Sequence, residues 1–401
     1  MVAPAAAAAA ALRNEDILCF SNDWQGDPLS KMHIMRILAR DNRVLWVNSL
    51  GNRAPTASRY DAARIVKKLR SVAEGIREVE RNVFVLTPLA LPIFGSRAAG
   101  RLNRALLTLQ LGHAMRALGF QQPIVWAFLP SAEWAATGLD RKLLVYHCVD
   151  EFSAFPDAPR RAIAEAEERL ARAADLVITS SEPLLHSKRQ LNPRTVLVRH
   201  GVDLAHFARA LDPSTPIPAD VAGLPRPIFG FFGLVAEWID LGLISKLAAS
   251  HPTSSVVLLG AVRTNVEELA RLPNVYLLGR RPYEDLPGYC KVFDVALVPF
   301  RIDRLTFNAS PLKVREYLAA GLPVVSTQLP EVEHLGGCLV AANETEFLQK
   351  VDQALADGGC KPERAESVRS EAWVVKVEEI RQHVARALCS QSLARCERGR
   401  R

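Results

Sequence analysis

The residues best placed to do chemistry lie in two short stretches. The first is Ser310-Pro-Leu-Lys-Val-Arg-Glu-Tyr-Leu-Ala-Ala-Gly-Leu-Pro-Val-Val. It reads as a helix start, a helix, a glycine stop and a buried strand. Ser310 can cap the helix, with Pro311 at its first position. A helix N-terminus offers free N–H groups and the positive end of the dipole, and both favour an anion. Lys313 adds a full charge in the first turn, and Glu316, three residues on, shares its face. A carboxylate there could accept both hydroxyls of a ribose. The alternative is an ordinary capped helix with a surface Lys–Glu pair.

The second stretch is Leu143-Leu-Val-Tyr-His-Cys-Val-Asp-Glu151, an apolar strand ending in His147, Asp150 and Glu151. The carboxyl end of a parallel strand is where an open α/β sheet meets its ligand. Asp150 or His147 could take a proton from a hydroxyl within about 2.6–3.2 Å, given a suitable pKa. A hydrogen-bonded core histidine and helix-capping carboxylates are the structural alternatives. Near the start, Asn22, Asp23, Gly26, Ser30, Lys31 and His33 share the first strand-to-helix loop. Ser30 could equally be only an N-cap for the helical stretch 33–40.

These groups need a scaffold, and the hydrophobic pattern supplies one. Strand-sized apolar runs fall at 17–21, 44–48, 83–87, 124–128, 143–149, 176–180 and 196–200. They recur at 228–233, 256–260, 275–279, 295–299, 323–327 and 338–341, with helical stretches between. Runs apolar throughout mark strands buried on both faces, and alternation with helices marks parallel sheets. Residues 212–227 hold five prolines in sixteen positions, which reads as a linker. The expected plan is α/β: two doubly wound parallel-sheet, Rossmann-like domains facing across a cleft. Its parts are a disordered leader at 1–14, a first domain at 15–210, a linker at 211–227 and a second domain at 228–370. A helix with a basic tail, 371–401, would pack back on the first domain.

Composition narrows the function. The chain has 401 residues, 49% hydrophobic and 23% charged, the balance of a globular protein. No run approaches the roughly 20 apolar residues of a membrane-spanning helix. The net charge is +7, and residues 53–116 alone carry twelve basic against four acidic side chains. With the apolar segment 89–97 and Arg101 and Arg104 beside it, that cluster suits an anionic membrane surface. A solvated basic face is the plain alternative. Base readout of nucleic acid is not indicated. The seven cysteines form no CxxC, so neither a disulfide framework nor a zinc site is expected, and a reducing cytoplasm fits. Neither GxGxxG nor a P-loop occurs, against a nucleotide-dependent oxidoreductase or an NTPase.

The Ser310–Val325 stretch resembles the signature of GT-B glycosyltransferases, in which a loop, a Glu-bearing helix and Ala-Gly-x-Pro-Val-Val hold a nucleotide sugar. Four further pieces agree in order. They are Ala174-Asp-Leu-Val-Ile-Thr-Ser-Ser181, His200-Gly-Val-Asp203 with Phe207, Gly230-Phe-Phe-Gly233, and Leu278-Gly-Arg-Arg-Pro-Tyr-Glu-Asp-Leu-Pro287. The start, Asp23-Trp24 through Leu45-Trp-Val-Asn48, is similar to bacterial cell-surface polysaccharide transferases of the teichuronic-acid and xanthan glucuronosyl-transferase types. The resemblance implies donor contacts from Gly233, Glu237, Arg280, Tyr283, Ser310, Pro311, Lys313 and Glu316. It implies acceptor contacts from Asp23, Gly26, Lys31 and His33, and makes Asp150 the general base with His147 as its rival.

The expected activity is transfer of a sugar from a nucleotide diphosphate donor, UDP-linked by resemblance, to a saccharide acceptor, free or lipid-linked. No metal and no other cofactor is expected, because no convincing Asp-x-Asp motif is present. The setting would be cytoplasmic, at the inner face of the membrane if the surface is touched. Two departures stand out. Large retaining families carry Glu-x7-Glu, and here the first position is Asn308. The loop 234–240 lacks the Arg and Lys that usually neutralise phosphate, leaving Lys313 and Arg280 to replace them. An epimerase on the same fold and a non-catalytic sugar- or nucleotide-binding scaffold are the competing readings.

Overall fold

The structure, a computed structural model, describes residues 12–49, 75–89, 97–156 and 158–398. It forms two compact units, each around its own sheet. One comprises residues 1–179, 184–198 and 377–401, and the other 180–183 and 199–376.

Among the described residues the first unit has eight strands: β1 (Asp16–Phe20), β2 (Arg43–Val47), β3 (Ile76–Glu80), β4 (Val83–Leu86), β5 (Ile124–Ala127), β6 (Leu143–Cys148), β7 (Leu176–Thr179) and β8 (Thr195–Leu197). Their order is β3-β4-β2-β1-β5-β6-β7-β8. All neighbours are parallel except β3 and β4, which pair antiparallel. That edge strand corrects the purely parallel expectation. Its sequence, Ile-Arg-Glu-Val-Glu, is too polar to read as a buried strand. It is held from outside the sheet, where Arg36 donates two Nε/Nη2 bonds to the Glu80 carboxylate at 2.9 and 2.6 Å. The central strands are apolar on both faces because helices cover both. Among these helices are α1 (Ser30–Leu38), α2 (Arg97–Leu118) and α3 (Arg160–Ala173).

The second unit has β9 (Ile228–Phe232), β10 (Ser255–Leu259), β11 (Val275–Gly279), β12 (Val295–Val298), β13 (Val324–Thr327) and β14 (Leu339–Ala341), all parallel. Their order, β11-β10-β9-β12-β13-β14, is the doubly wound pattern whose direction reverses between β9 and β12. In the first sheet the reversal falls between β1 and β5. Ligands of such sheets bind beyond the carboxyl ends at these switch points. Helix α4 (Leu312–Ala319) links β12 to β13 and packs at the switch point of the second sheet, where Tyr317 Oη accepts from Phe232 N–H at the end of β9 at 2.9 Å.

Three expected boundaries change. The proline-rich stretch 211–227 is a strap on the second unit, not a free linker. Lys291 Nζ donates to the carbonyls of Asp212, Pro213 and Thr215 at 2.7–2.9 Å. Asp220 accepts from Arg281 Nη2 at 2.7 Å, and Val221 is buried. The chain instead changes unit at 198–199. At the other end, Leu12 is fully buried and Asn14 N–H donates to Asp41 O at 2.8 Å, so the ordered part starts before residue 15. Residues 1–11 lie outside the described residues. The last helix, α5 (Trp373–Arg398), begins in the second unit, where Trp373 N–H donates to Val202 O at 3.1 Å. From Val377 it groups with the first unit, where Arg381 pairs with Asp41 at 2.8 Å and Gln391 donates to Asp175.

Candidate active site

The second unit gathers Gly233, Lys313 and Glu316 at its switch point. Gly233 ends β9 with a φ of +135°, and a Cβ there would sit 2.1 Å from Lys313 Cε. The lysine stem therefore lies across a bare backbone, with Nζ 5.8 Å from the Phe231 ring centroid. Next door, Gly260 ends β10 at φ +149°, and a Cβ there would meet Gly233 O at 1.8 Å. Gly233 N–H donates to Leu259 O, and Gly260 N–H to Gly279 O. Three adjacent strands thus end in glycine, giving a rim on which a ligand can approach main chain directly. Gly260 and Gly279 were missed from sequence. Their only signal was the repeated Leu-Leu-Gly at the end of an apolar run.

Burial shapes the charges here. It pushes the Glu316 carboxyl up to about 7, with nearby Lys313 opposing the shift. It also lowers Lys313, against the pull of Glu316. The pair is coupled, desolvated and on one helix face, as expected of i,i+3 neighbours.

The other expected donor residues have different surroundings. Ser310 does not cap α4. The N-cap is Pro311, with no side-chain cap bond, and buried Ser310 Oγ accepts from Arg315 Nη1 at 3.4 Å. Arg315 in turn donates to Glu371 at 2.8 Å. Tyr283 stacks on His206, with centroids 4.0 Å apart and planes at 10°. Arg280 is exposed, just past the edge strand β11. At about 4.8 Å per strand, its backbone stands about 10 Å from β9. Glu237 is exposed in a loop pinned by bonds from Arg263 N–H to Val235 O and Arg301 N–H to Trp238 O. Asn308 closes a short helix, and its carbonyl accepts from Ser181 Oγ at 2.6 Å.

The first unit brings Lys31, His147 and Asp150 together at its own switch point. Lys31 is the second residue of α1, is 6% exposed and donates to Asn22 Oδ1 at 2.6 Å. Its ammonium lies 5.9 Å from the Phe128 ring and 5.4 Å from that of Phe152. Burial raises Asp150 to about 6, with Lys31 opposing. Burial lowers Lys31 to about 8, with Asp150 opposing. His147 is pushed down to about 3 by burial and then by Lys31, so it is neutral at working pH. It stacks on Phe128 at 5.0 Å. Among the described residues, Ser21 Oγ, Trp126 Nε1 and His147 Nδ1 are buried without a hydrogen-bond partner. All three belong to neighbouring strand ends; Arg315 Nη2 in the second unit is orphaned as well, and each such atom calls for an explanation.

Glu151 has a structural place instead. It accepts from Ser153 Oγ at 2.5 Å and lies 3.6 Å from Lys188, which also pairs with Glu167 at 2.8 Å. Of the expected acceptor residues, Asp23 is exposed and accepts from Ser49 Oγ at 3.5 Å, Gly26 is exposed with φ +122°, and His33 is half-buried on α1. Ser30 opens α1 but does not cap it; the N-cap is Leu29. The described residues contain no group of three or more metal-ligating side chains, and no helix among them is long and apolar enough to cross a membrane.

Comparison with solved structures identifies the fold as GT-B. Sucrose-phosphate synthase from Thermosynechococcus elongatus matches with a TM-score of 0.59 at 16% identity, over 96% of this chain and 98% of that one. An α,α-trehalose 6-phosphate synthase from Burkholderia multivorans gives 0.62 at 14%, over 95% and 99%. Anabaena Alr3699/HepE, solved with UDP and glucose, gives 0.59 at 16%, over 94% and 100%. Residues 229–357 match the family described as Glycosyl transferases group 1. In sequence, 209 residues are 28% identical to the Bacillus subtilis (strain 168) protein named "Putative teichuronic acid biosynthesis glycosyltransferase TuaH". That match takes in 48% of this chain and 52% of the relative, so the chain spans about half the length of the curated relative it matches.

Proposed function

We propose that this protein is a glycosyltransferase that moves a sugar from a nucleoside diphosphate sugar to a saccharide hydroxyl during polysaccharide assembly. The observation that carries the reading is the Gly233–Lys313–Glu316 cluster, which lies at a doubly wound switch point inside the segment matching glycosyl transferases group 1. A diphosphate fits an ammonium above bare backbone at the start of a helix, and a ribose fits the carboxylate one turn on. UDP is the favoured nucleotide, since Alr3699/HepE has been solved with it. The relative's name supports a cell-surface polysaccharide as the product class.

In this reading the first unit serves the acceptor. The Asp150 carboxylate takes the proton of an acceptor hydroxyl as its oxygen attacks the anomeric carbon. The bond from that carbon to the diphosphate breaks, and Lys313 opposes the charge left on the diphosphate. Asn308, where retaining relatives carry Glu, supports a single displacement with inversion. Screening radiolabelled UDP-, GDP- and dTDP-sugars against oligosaccharide acceptors tests the reading. Transfer supports it. Donor isomerisation alone would make the protein an epimerase, and binding without turnover a scaffold.

A finer reading places the protein at the cytoplasmic membrane surface. Residues 90–96 of the apolar segment lie outside the described residues, as do the side chains of 97–100. Helix α2 nevertheless exposes Leu102 and Leu109, 47% and 69% accessible, beside exposed Arg101. Flotation with anionic liposomes at low salt should capture the protein, and Leu102→Ser with Leu109→Ser should release it. No capture of the wild type removes this reading.

A further inference from the structure

Lys31 is placed against every ordinary preference of a lysine. It is 6% exposed, and an ammonium is rarely buried without a paired charge. It occupies the first turn of α1, where the helix dipole disfavours a cation. Its one close acceptor is the neutral Asn22 amide oxygen, and its other neighbours are the Phe128 and Phe152 rings. Such a position is tolerable only beside a negative charge. The titratable groups facing it are Cys19 on β1, His147 and Cys148 on β6, and Asp150 just after β6. Burial keeps both thiols protonated and the imidazole neutral. Glu151, the next carboxylate, is engaged by Lys188 and Ser153. The Phe152 ring beside Lys31 follows Asp150 by two residues, and Phe152 N–H donates to Asp150 O at 3.1 Å, so Asp150 is left as the counter-charge.

We propose that Lys31 is a positioning residue whose fixed charge keeps the Asp150 carboxylate ionised and ready to accept a proton, and is not a contact for the acceptor sugar. The proposal rests on the reading of Asp150 as general base. Burial raises the Asp150 carboxyl toward its protonated form, and a protonated carboxyl cannot act as a base. Lys31 pulls the other way, and Asn22 with the two rings fixes where it does so. The arrangement sets the lower edge of the working range at about 6, where Asp150 ionises; when Lys31 loses its proton near 8 the carboxylate no longer needs it.

The test uses the full chain labelled with [13C]carboxyl aspartate, with the Asp150 signal assigned by its loss in Asp150→Asn. The wild-type signal should titrate near 6. In Lys31→Met, or Lys31→Gln if the first variant melts early, the midpoint should rise, and Lys31→Arg should restore it. With the acceptor found by the screen above, Lys31→Met should lower kcat about tenfold at pH 7, with the loss shrinking toward pH 9 and the acceptor KM unchanged. An unmoved midpoint, or a raised KM with unchanged kcat, overturns the proposal. If Asp150→Asn keeps full turnover, the base reading fails, while the carboxyl titration still decides whether Lys31 sets the charge of Asp150.

Discussion

Lys31 and Lys313 make an instructive pair. Each is the second residue of a helix at the switch point of its sheet, each lies over an aromatic ring, and each is coupled to a half-buried carboxylate. The difference is where the carboxylate comes from. Glu316 is on the same helix as Lys313, three residues on, so the two are neighbours whatever the rest of the unit does. Asp150 reaches Lys31 only because β1 and β6 flank β5 in one sheet. The local pair sits on a glycine rim suited to a bound phosphate. The non-local pair sits among orphan polar atoms suited to a reacting hydroxyl. Lys188, buried like Lys31, completes the contrast. Satisfied by Glu167 at 2.8 Å and near Glu151, it is held above the usual range, despite burial, by Cys148, Glu167 and Glu151. Full pairing is the mark of a structural lysine, and partial pairing that of a working one.

The sharpest way to break this division is Asp150→Asn. It preserves shape and removes the proton acceptor, so turnover should fall about 10²–10⁴-fold. Donor KM should stay near wild type, and the product anomer read by NMR should be inverted. A retained anomer, or a larger loss from His147→Asn, would move the base elsewhere. The second break targets the structural lysine. Lys188→Met leaves Glu167 buried without its cation and should cost about 3–5 kcal/mol in chemical denaturation. Lys31→Met should cost much less, because Lys31 is itself poorly satisfied. Equal losses would erase the distinction.

How far the sequence reveals all this follows from the same local and non-local split. The buried parallel strands were legible because Val, Leu, Ile and Phe run unbroken through them. β3 was not, because an edge strand paired on one side can alternate Arg and Glu with Ile and Val. The proline-rich stretch was misread because its composition is that of a linker, while the lysine that grips its carbonyls, Lys291, is far along the chain. Lys313 and Glu316 were legible as one helical face. The strand end at His147 and Asp150 was legible too, but its coupling to Lys31 was not, since nothing in local spacing reports which loop lies above which strand. Tyr283 shows what a motif alone leaves out: its ring stacks on His206, a residue far back in the chain.

The donor side offers a smaller but cleaner effect. Lys313→Ala removes a charge-assisted contact to the diphosphate, worth roughly 1.5–3 kcal/mol. Affinity for UDP should fall about 10–100-fold by calorimetry, with uridine affinity nearly unchanged. Equal loss for both ligands would mean that Lys313 shapes the pocket and does not bind phosphate. Gly233→Ala should imitate the variant, since its Cβ would displace the lysine stem.

The smallest expected effect tests the ribose role of Glu316 through pH. A carboxylate that accepts two hydroxyls must be ionised, and burial has raised Glu316 to about 7. Uridine has no phosphate to titrate, so its affinity reports this group. Below the midpoint Glu316 is protonated and one oxygen can no longer accept, so binding should be weak. As pH rises through about 7 the carboxylate forms, affinity should climb several-fold, and the complex should release a proton. Glu316→Gln should bind uridine weakly and show no slope between pH 6 and 8. Lys313→Ala should move the wild-type midpoint upward, because Lys313 is the charge that opposes the raised value. That is the behaviour expected of Lys31 toward Asp150, so two titrations in one protein would test one principle. A uridine profile that keeps its slope in Glu316→Gln would take the ribose away from this residue.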